Sequence, residues 1–198
     1  RSKMVQLPQK ARAVIIGGGV IGCSVAYHPT KLCWTDVVLL ERKQLTSGTT
    51  WHAAGLIAQL RATQNMTRLA KYSQELYGAL EAETGVATGF KRVGSITAAL
   101  TEERKEEILR QAAMARAFGV EVEEITPQEV REKYPHVETQ GMNGAVYFPK
   151  NGPGAPANIA LALANAGRGG GANGAERVTA NGGHRGRRRM DTGEHGSC

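Results

Sequence analysis

Two short apolar runs, separated by a helix-compatible stretch, stand out near the beginning of the sequence. Residues 13–16 (AVII) and 37–40 (VVLL) are apolar at every position. A strand that is buried on both faces of a parallel sheet has this pattern. The stretch 20–32 predicts a helix between the two strands, and the order strand, helix, strand is typical of a parallel α/β fold. The chain is therefore predicted to open with a βαβ unit.

Two residues fit this first helix poorly. Pro29 removes a backbone donor and clashes with the preceding turn, which costs about 3 kcal/mol in a helix interior. Cys33 stands where the helix should end, a position that favours glycine. Either the helix ends early or the sequence is atypical at this point.

Helical and strand patterns continue to residue 166. Thr101 is a predicted N-cap, and residues 126–129 (TPQE) form a capping box with proline at the first helical position. The first of these helices, 65–83, has its apolar residues largely on one face. The pattern predicts helices at 65–83, 101–119, 126–134 and 156–166, and strands at 96–100, 120–125 and 144–148.

The segment 167–198 loses this periodicity. Glycine and arginine dominate its composition, and Val178 is its one aliphatic residue. Such a segment cannot offset its ordering entropy by burial, so it is read as a disordered tail or as an altered sequence. The arginine run 185–189 could touch nucleic acid, but no aromatic residue follows Phe148 to stack on bases. A solvated tail is favoured, and nucleic acid is not an expected partner.

The composition narrows the classes of protein to which this chain could belong. A hydrophobic content of 41% and a net charge of +7 describe a globular chain that is mildly basic. No apolar run approaches the roughly 18 residues of a membrane span. The three cysteines lack metal-ligand spacing, so no metal site is predicted, and their small, odd number fits a reducing compartment. Cys23, at the start of the first helix, is expected to be a small packing residue rather than a reactive thiolate.

A glycine-rich turn joins the first strand to the first helix. In the G-x-G-x-x-G pattern of residues 17–22, Gly17 permits the tight turn, Gly19 lets a pyrophosphate approach the backbone, and Gly22 lets helix and strand pack closely. Val20 and Ile21 complete the first helical turn, whose N–H groups and dipole favour a phosphate. The alternative is a glycine turn that packs a generic α/β unit.

An acidic residue, Glu41, directly follows the apolar run of the second strand. Its separation from the glycine turn is that of the carboxylate which accepts hydrogen bonds from the ribose of a dinucleotide. Either FAD or NAD would satisfy this much of the pattern. A polar loop follows, in which Arg42, Ser47, Gly48, Thr49, Thr50 and His52 are candidate cofactor contacts because loop hydroxyl and N–H groups are available for binding.

Several segments resemble a known family. They are AVIIGGGVIGCSVAYH at 13–28, DVVLLERKQLTSGTTWHAAGL at 36–56, GSITAAL at 94–100 and GAVYFPKNG at 144–152. Together they resemble the flavin-dependent amine oxidoreductases of the D-amino-acid-oxidase-like superfamily, closest to the sarcosine and dimethylglycine dehydrogenases. The resemblance implies a Rossmann-like FAD-binding domain with a parallel sheet, its core at about 11–60, and part of an α+β substrate-binding domain, all within residues 1–166.

The resemblance also implies a cofactor pose. The pyrophosphate of FAD would lie at residues 17–22 and its adenosine ribose on Glu41. His52 matches the histidine that is attached to the flavin 8α carbon in these relatives. A neutral imidazole is a nucleophile near pH 7, so this role is chemically reasonable. The alternative is a loop histidine that only donates or accepts a hydrogen bond.

The activity implied is oxidative demethylation of an N-methylated glycine to the demethylated amine and formaldehyde. Oxygen or an electron-transfer flavoprotein would accept the electrons, in a bacterial cytoplasm or a mitochondrial matrix. Two alternatives stay open: a non-catalytic module similar to the pyruvate dehydrogenase phosphatase regulatory subunit, and a nicotinamide dehydrogenase. No catalytic acid or base can be named.

The sequence departs from the family in ways that matter for these expectations. Asn151 and Ala155 replace two family aspartates, and the second change removes an N-cap worth about 1 kcal/mol. Relatives need roughly twice this length for their catalytic domain, so the chain is interpreted as an N-terminal portion of such an enzyme.

Overall fold

A computed structural model of the chain describes residues 7–180. Its helices are α1 (Val20–Lys31), α2 (Gln64–Thr84), α3 (Glu102–Ala117), α4 (Pro127–Lys133) and α5 (Pro156–Gly169), with a short 3-10 helix at Thr49–His52. Its strands are β1 (Ala13–Ile16), β2 (Val37–Glu41), β3 (Leu56–Ile57), β4 (Ser95–Ala99), β5 (Glu123–Ile125), β6 (Gly144–Phe148), β7 (Gly152–Pro153) and β8 (Asn173–Glu176).

These elements form two compact units. Among the described residues, the first unit contains 7–54, 80–88 and 156–180, and the second contains Gly55–Ala79 and Gly89–Ala155. The predicted domain, residues 1–166, therefore contains parts of both units. None of the helices in the described part of the chain is long and apolar enough to cross a membrane.

The first unit is built on a parallel sheet with the order β1-β2-β8. Val14 pairs with Val38, and Val38 pairs with Asn173. Helices α1 and α5 pack closely because small residues meet at their interface, where Gly167 lies 3.5 Å from the backbone of Ala26 and Tyr27, measured from the position of an added Cβ. The predicted βαβ unit with a parallel sheet is confirmed. Burial of β1 on both faces is wrong, because Val14 and Ile16 are 55% and 71% exposed at the edge of the sheet.

The end of α1 resolves the two misfits in the sequence. The helix continues through Pro29 to Lys31, so of the two alternatives the early end is wrong and the atypical sequence is correct. Pro29 lies in the last turn and its carbonyl accepts the N–H of Leu32, at 2.9 Å. Cys33 has φ +63°, the left-handed conformation predicted for this position. A non-glycine residue therefore carries the strain of that conformation.

Strand β8 corrects the expectation for the glycine-rich segment. Asn173–Glu176 lies within residues 167–198, yet it pairs in parallel with β2, and Ala175 is 2% exposed. The strand has no β-branched residue, and the pairing depends on backbone hydrogen bonds that composition does not reveal. A disordered tail is therefore wrong for this part of the segment. The arginine run 185–189 lies outside the described residues.

The second unit contains an antiparallel sheet with the order β4-β6-β5, and a separate antiparallel pair, β3 and β7. Its main core combines α3 with the sheet: Ala99, Ile108, Ala112, Ala115, Val120, Val122, Val146 and Phe148. The predicted caps of α3 and α4 are present, because Thr101 accepts the N–H of Arg104 and Thr126 forms a full capping box with Glu129. The strand predicted at 120–125 is shorter, beginning at Glu123.

Asn151, one of the departures from the family pattern, is a buried residue whose side chain links two other segments of the second unit. Its Oδ1 accepts the backbone N–H of Gln59 at 3.1 Å, and its Nδ2 donates to the Ser95 hydroxyl at 2.9 Å. The amide thus uses an acceptor and a donor at once. An ionised aspartate at this buried position could only accept, so asparagine fits these two partners.

Candidate functional site

The glycine turn between β1 and α1 has the backbone geometry that its sequence predicts. Gly17 has φ +112°, which favours glycine, and its N–H donates to the carbonyl of Leu40 on the neighbouring strand, at 2.8 Å. A Cβ on Gly22 would lie 1.8 Å from the Gly17 carbonyl oxygen. Any side chain at residue 22 would therefore separate the start of α1 from the turn. The roles predicted for these two glycines in shaping the turn are confirmed.

Glu41 ends β2 beside this turn. Its Oε2 accepts the N–H of Gly18 at 2.7 Å, and its Oε1 accepts the N–H of Lys43 at 2.8 Å. The hydrogen bond from Gly18 is the main cause that lowers the pKa of the Glu41 carboxyl, with a smaller contribution from Lys43. The carboxylate is thus ionised and held in one orientation. Each oxygen has more than one lone-pair site, so it can accept a further donor such as a ribose hydroxyl.

Gly18 is a residue of the candidate site that the sequence-based prediction left out. A Cβ there would lie 2.5 Å from Leu45 Cδ2 and 2.9 Å from Glu41 Cβ, so a larger residue would displace the carboxylate. Its carbonyl also accepts the N–H of Thr46, at 2.9 Å. The G-x-G-x-x-G pattern treats this position as variable. The run of three consecutive glycines, with Gly18 in the middle, was the available signal, and only the fold shows what Gly18 contacts.

Thr50 connects the predicted cofactor loop to the start of α1. Its hydroxyl oxygen accepts the N–H of Val20 at 2.9 Å, and the residue is 9% exposed. A Cβ on Gly19 would lie 2.9 Å from the same oxygen. Gly19 itself supplies no side-chain cap to α1, so a threonine from a distant loop replaces one. This contact is a further reason for glycine at residue 19.

The other candidates on this loop are placed at the surface. Arg42, Ser47, Gly48, Thr49 and His52 are all exposed, as is Ile21 in the first turn of α1, at 77%. The 3-10 helix Thr49–His52 carries the last of them, and its turn is closed by the hydrogen bond from the N–H of Ala53 to the Thr50 carbonyl, at 3.3 Å. The structure therefore brings the glycine turn, Glu41 and Thr50 into direct contact and presents the remaining residues to solvent.

His52 has one neighbour that the sequence reasoning did not use. The indole Nε1–H of Trp51 donates to His52 Nε2 at 2.8 Å, and the ring centroids are 5.1 Å apart. The two residues are adjacent in the chain, so the sequence shows that their side chains could be neighbours. A hydrogen bond between neighbouring side chains depends on the 3-10 backbone, however, and no periodicity predicts that conformation.

Cys23 is a packing residue, as expected. It is fully buried, and its thiol donates to the Gly18 carbonyl with a sulfur–oxygen distance of 3.6 Å. Burial raises the pKa of the thiol to about 11. The thiol is therefore protonated at neutral pH and packs against the glycine turn. Within residues 7–180, no cluster of histidine, cysteine, aspartate or glutamate could hold a metal ion.

Comparison with known proteins identifies the family of this chain. The family described as DAO, FAD dependent oxidoreductase, matches residues 12–197. The chain belongs to the DAO family of FAD-dependent oxidoreductases. This membership confirms the resemblance seen in the sequence and the Rossmann-like fold class, and it decides against a nicotinamide dehydrogenase.

Among curated members of the DAO family, three relatives bear on function. The pyruvate dehydrogenase phosphatase regulatory subunit of Mus musculus is 40% identical over 82% of this chain and 18% of its own length. Sarcosine dehydrogenase of Homo sapiens is 39% identical over 81% and 18%. Dimethylglycine dehydrogenase of Rattus norvegicus is 39% identical over 80% and 19%. The chain thus spans about a fifth of the length of these relatives.

A solved structure of a DAO-family protein has a similar fold. Glycine oxidase from Bacillus cereus superposes with a TM-score of 0.73 and 32% sequence identity, covering 85% of this chain and 46% of that one. The agreement extends beyond the βαβ unit, because that unit alone could not account for 85% of the chain.

Proposed function

We propose that this chain is the cofactor-binding portion of a flavin-dependent enzyme that oxidatively demethylates an N-methylated glycine. The observation that carries the proposal is the Glu41 carboxylate, ionised and fixed by the Gly18 N–H at 2.7 Å beside the glycine turn. Relatives named for sarcosine and dimethylglycine oxidation support the substrate class. When bound, FAD supplies the hydride acceptor for the amine substrate, and the protein supplies binding and orientation.

The residues of the turn suit a dinucleotide pyrophosphate. The N–H groups of the first helical turn have no intrahelical acceptor, so those of Ile21 and Gly22 are available to an anion at the positive end of the α1 dipole. The Val20 N–H is held by Thr50. The Thr50 hydroxyl still has its own proton, which it can donate to a phosphate oxygen. We assign the adenosine ribose to Glu41.

His52 is proposed as the covalent attachment point. His52 would supply the imidazole nitrogen that replaces one hydrogen of the flavin 8α methyl group, and the imidazole would lose its N–H proton. The bond needs an external two-electron oxidant, dissolved dioxygen, which would take up the two electrons and two protons and form hydrogen peroxide. His52 suits this role because it is exposed on a loop that Thr50 fixes to the glycine turn. Arg42, Ser47, Gly48 and Thr49 are proposed as further contacts of the cofactor.

One experiment tests the proposal in stages. The purified chain is incubated with FAD, precipitated with acid, and the pellet is examined for flavin absorbance. We expect flavin in the wild-type pellet and none for His52→Ala, while both proteins bind FAD before acid treatment. Flavin found only in the supernatant would overturn the attachment to His52, and absence of FAD binding would overturn the cofactor site.

A second candidate function is a regulatory one. The relative from Mus musculus named as a phosphatase regulatory subunit is 40% identical over 82% of this chain. In the full-length protein, bleaching of bound flavin by sarcosine or dimethylglycine supports the enzyme. Flavin that is bound but not bleached by either amine supports the regulatory module.

The electron acceptor and the compartment are further parts of the proposal. We propose that dioxygen or an electron-transfer flavoprotein reoxidises the flavin. Rapid reoxidation by air would support dioxygen, and slow reoxidation that an electron-transfer flavoprotein accelerates would support the second acceptor. The relatives named as mitochondrial support a mitochondrial matrix, and a bacterial cytoplasm is the alternative.

A further inference from the structure

Trp51 and His52 form a hydrogen-bonded pair on the 3-10 helix Thr49–His52. The Trp51 Nε1–H donates to His52 Nε2 at 2.8 Å, and the two ring planes are tilted by 59°. An indole nitrogen can only donate a hydrogen bond. The imidazole nitrogen that accepts it must therefore carry a lone pair, and the proton of the neutral ring must be on the other nitrogen, Nδ1.

The backbone beneath this pair is fixed from within the first unit. Thr50, the residue before the pair, is buried and its hydroxyl accepts the Val20 N–H at 2.9 Å. Its carbonyl accepts the N–H of Ala53 on the other side of the pair, at 3.3 Å. The two aromatic side chains thus extend from a turn that is anchored before and after them, which limits the orientations in which their rings can meet.

The Trp51 indole contributes little to the core. Trp51 is 64% exposed and His52 is exposed beside it, whereas tryptophan is on average a well-buried residue. The polar edge of this indole is directed to its neighbour's imidazole. The contact therefore has more bearing on the state of His52 than on the stability of the fold.

We propose that Trp51 is a positioning residue that sets the tautomer of His52. Its N–H holds the lone pair on Nε2 and places the ring proton on Nδ1. The second hydrogen bond of an imidazole commonly decides which nitrogen is the reactive one, and a nucleophile must carry a free lone pair when it attacks. Under the proposed function, on which this use of the pair rests, Trp51 prepares Nε2 as the attacking nitrogen and moves aside as the bond forms.

The tautomer is tested without any cofactor. In the chain with ¹⁵N-labelled histidine at about pH 8, where an ordinary histidine is neutral, the His52 resonances are assigned by their loss in His52→Gln. We expect a protonated Nδ1 and an unprotonated Nε2 in the wild type. In Trp51→Phe, which keeps an aromatic ring but removes the donor, the proton should move to Nε2, the nitrogen that free neutral histidine prefers.

Trp34→Phe is the matched control. It removes the other indole of the chain, which stacks under the Arg12 guanidinium at 3.7 Å, and it should leave the His52 tautomer unchanged. A protonated Nε2 in the wild type, or the same tautomer in wild type and Trp51→Phe, would overturn the proposal.

The consequence for flavin attachment is measured separately. With FAD added, acid-insoluble flavin should form about tenfold more slowly in Trp51→Phe, in the range found when a partner that orients an imidazole is removed. The dissociation constant for FAD should not change. An unchanged or faster rate would overturn the positioning role. If the wild type itself retains no flavin in acid, the attachment to His52 has failed, and the tautomer measurement still decides the role of Trp51.

Discussion

The edge strand β1 of the first unit and the main core of the second unit bury their apolar residues very differently. In the second unit, Ile108 of α3 is 1% exposed and Val146 of β6 is fully buried in the same core. In the first unit, β1 is an edge strand of the parallel sheet, and its Val14 and Ile16 are 55% and 71% exposed. The second unit is thus stabilised chiefly by side-chain packing. The region around β1 depends more on backbone contacts at the glycine turn, which are also the contacts that shape the candidate site.

The largest loss of stability is expected from a substitution in the core of the second unit. Ile108→Ala leaves a cavity in its main core and should lower the free energy of unfolding by about 2–5 kcal/mol, measured by urea denaturation. The matched variant Ile16→Ala removes a side chain of the same size that is 71% exposed. Its effect should stay within about 0.5 kcal/mol. Equal losses in the two variants would contradict the contrast between the edge strand β1 and the main core of the second unit.

A smaller but more local loss is expected at the glycine turn. Gly22→Ala forces a Cβ to within 1.8 Å of the Gly17 carbonyl oxygen, and such overpacking costs about 1–3 kcal/mol or more. Hydrogen exchange should show lost protection in β1 and α1 but retained protection in β4 and β6. FAD binding should be lost as well.

Gly169→Ala provides the control for this variant. Gly169 is the last residue of α5, and an added Cβ has no atom within 4 Å. Exchange in β1 and α1 should be unchanged by that substitution. Loss of protection in both variants would mean that the turn is not specially sensitive to residue 22.

Glu41 makes the stability of the first unit depend on pH. The folded-state pKa of Glu41 is lowered, chiefly by the Gly18 N–H, so its contribution is present above the unfolded value of about 4.3. The contribution is lost as pH falls through the lower, folded pKa. Glu41→Gln should therefore be less stable than wild type at pH 7, and the difference in Tm should shrink below about pH 4. A difference that is constant from pH 3 to pH 7 would contradict this assignment.

The smallest expected effect concerns the threonine that caps α1 from a distance. Thr50→Val removes the acceptor of the Val20 N–H and should cost about 1 kcal/mol, measured by urea denaturation. Thr50→Ser keeps a hydroxyl and should recover most of that loss. A valine variant as stable as wild type would contradict the assignment, because valine keeps the methyl group of threonine and loses only the hydroxyl.

The elements that the sequence predicts well are those with a local physical signal. The runs 13–16 and 37–40 are uniformly apolar, and the helix caps at Thr101 and Thr126 each form within a single turn, so both could be read without the fold. The left-handed conformation of Cys33 agrees with the sequence-based expectation that this position favours glycine, because helices commonly end with a left-handed residue there.

The features that the sequence did not reveal depend on distant partners. Strand β8 pairs through its backbone with β2, which lies near the other end of the described chain, and its own residues have no strand preference. Gly18 packs on Glu41 and Leu45, and Thr50 accepts from Val20. In the candidate site, the motif positions were therefore predicted, while the contacts that hold Glu41 and the loop in place were not.

The edge position of β1 has a practical consequence for handling the protein. An exposed apolar edge strand offers unpaired backbone groups and apolar side chains to another molecule. The net charge of +7 opposes association in dilute solution at low salt, but added salt screens it. Light scattering should therefore show self-association that grows with both protein and salt concentration. Ile16→Lys, which places a charge on this edge, should raise the concentration at which the chain begins to aggregate.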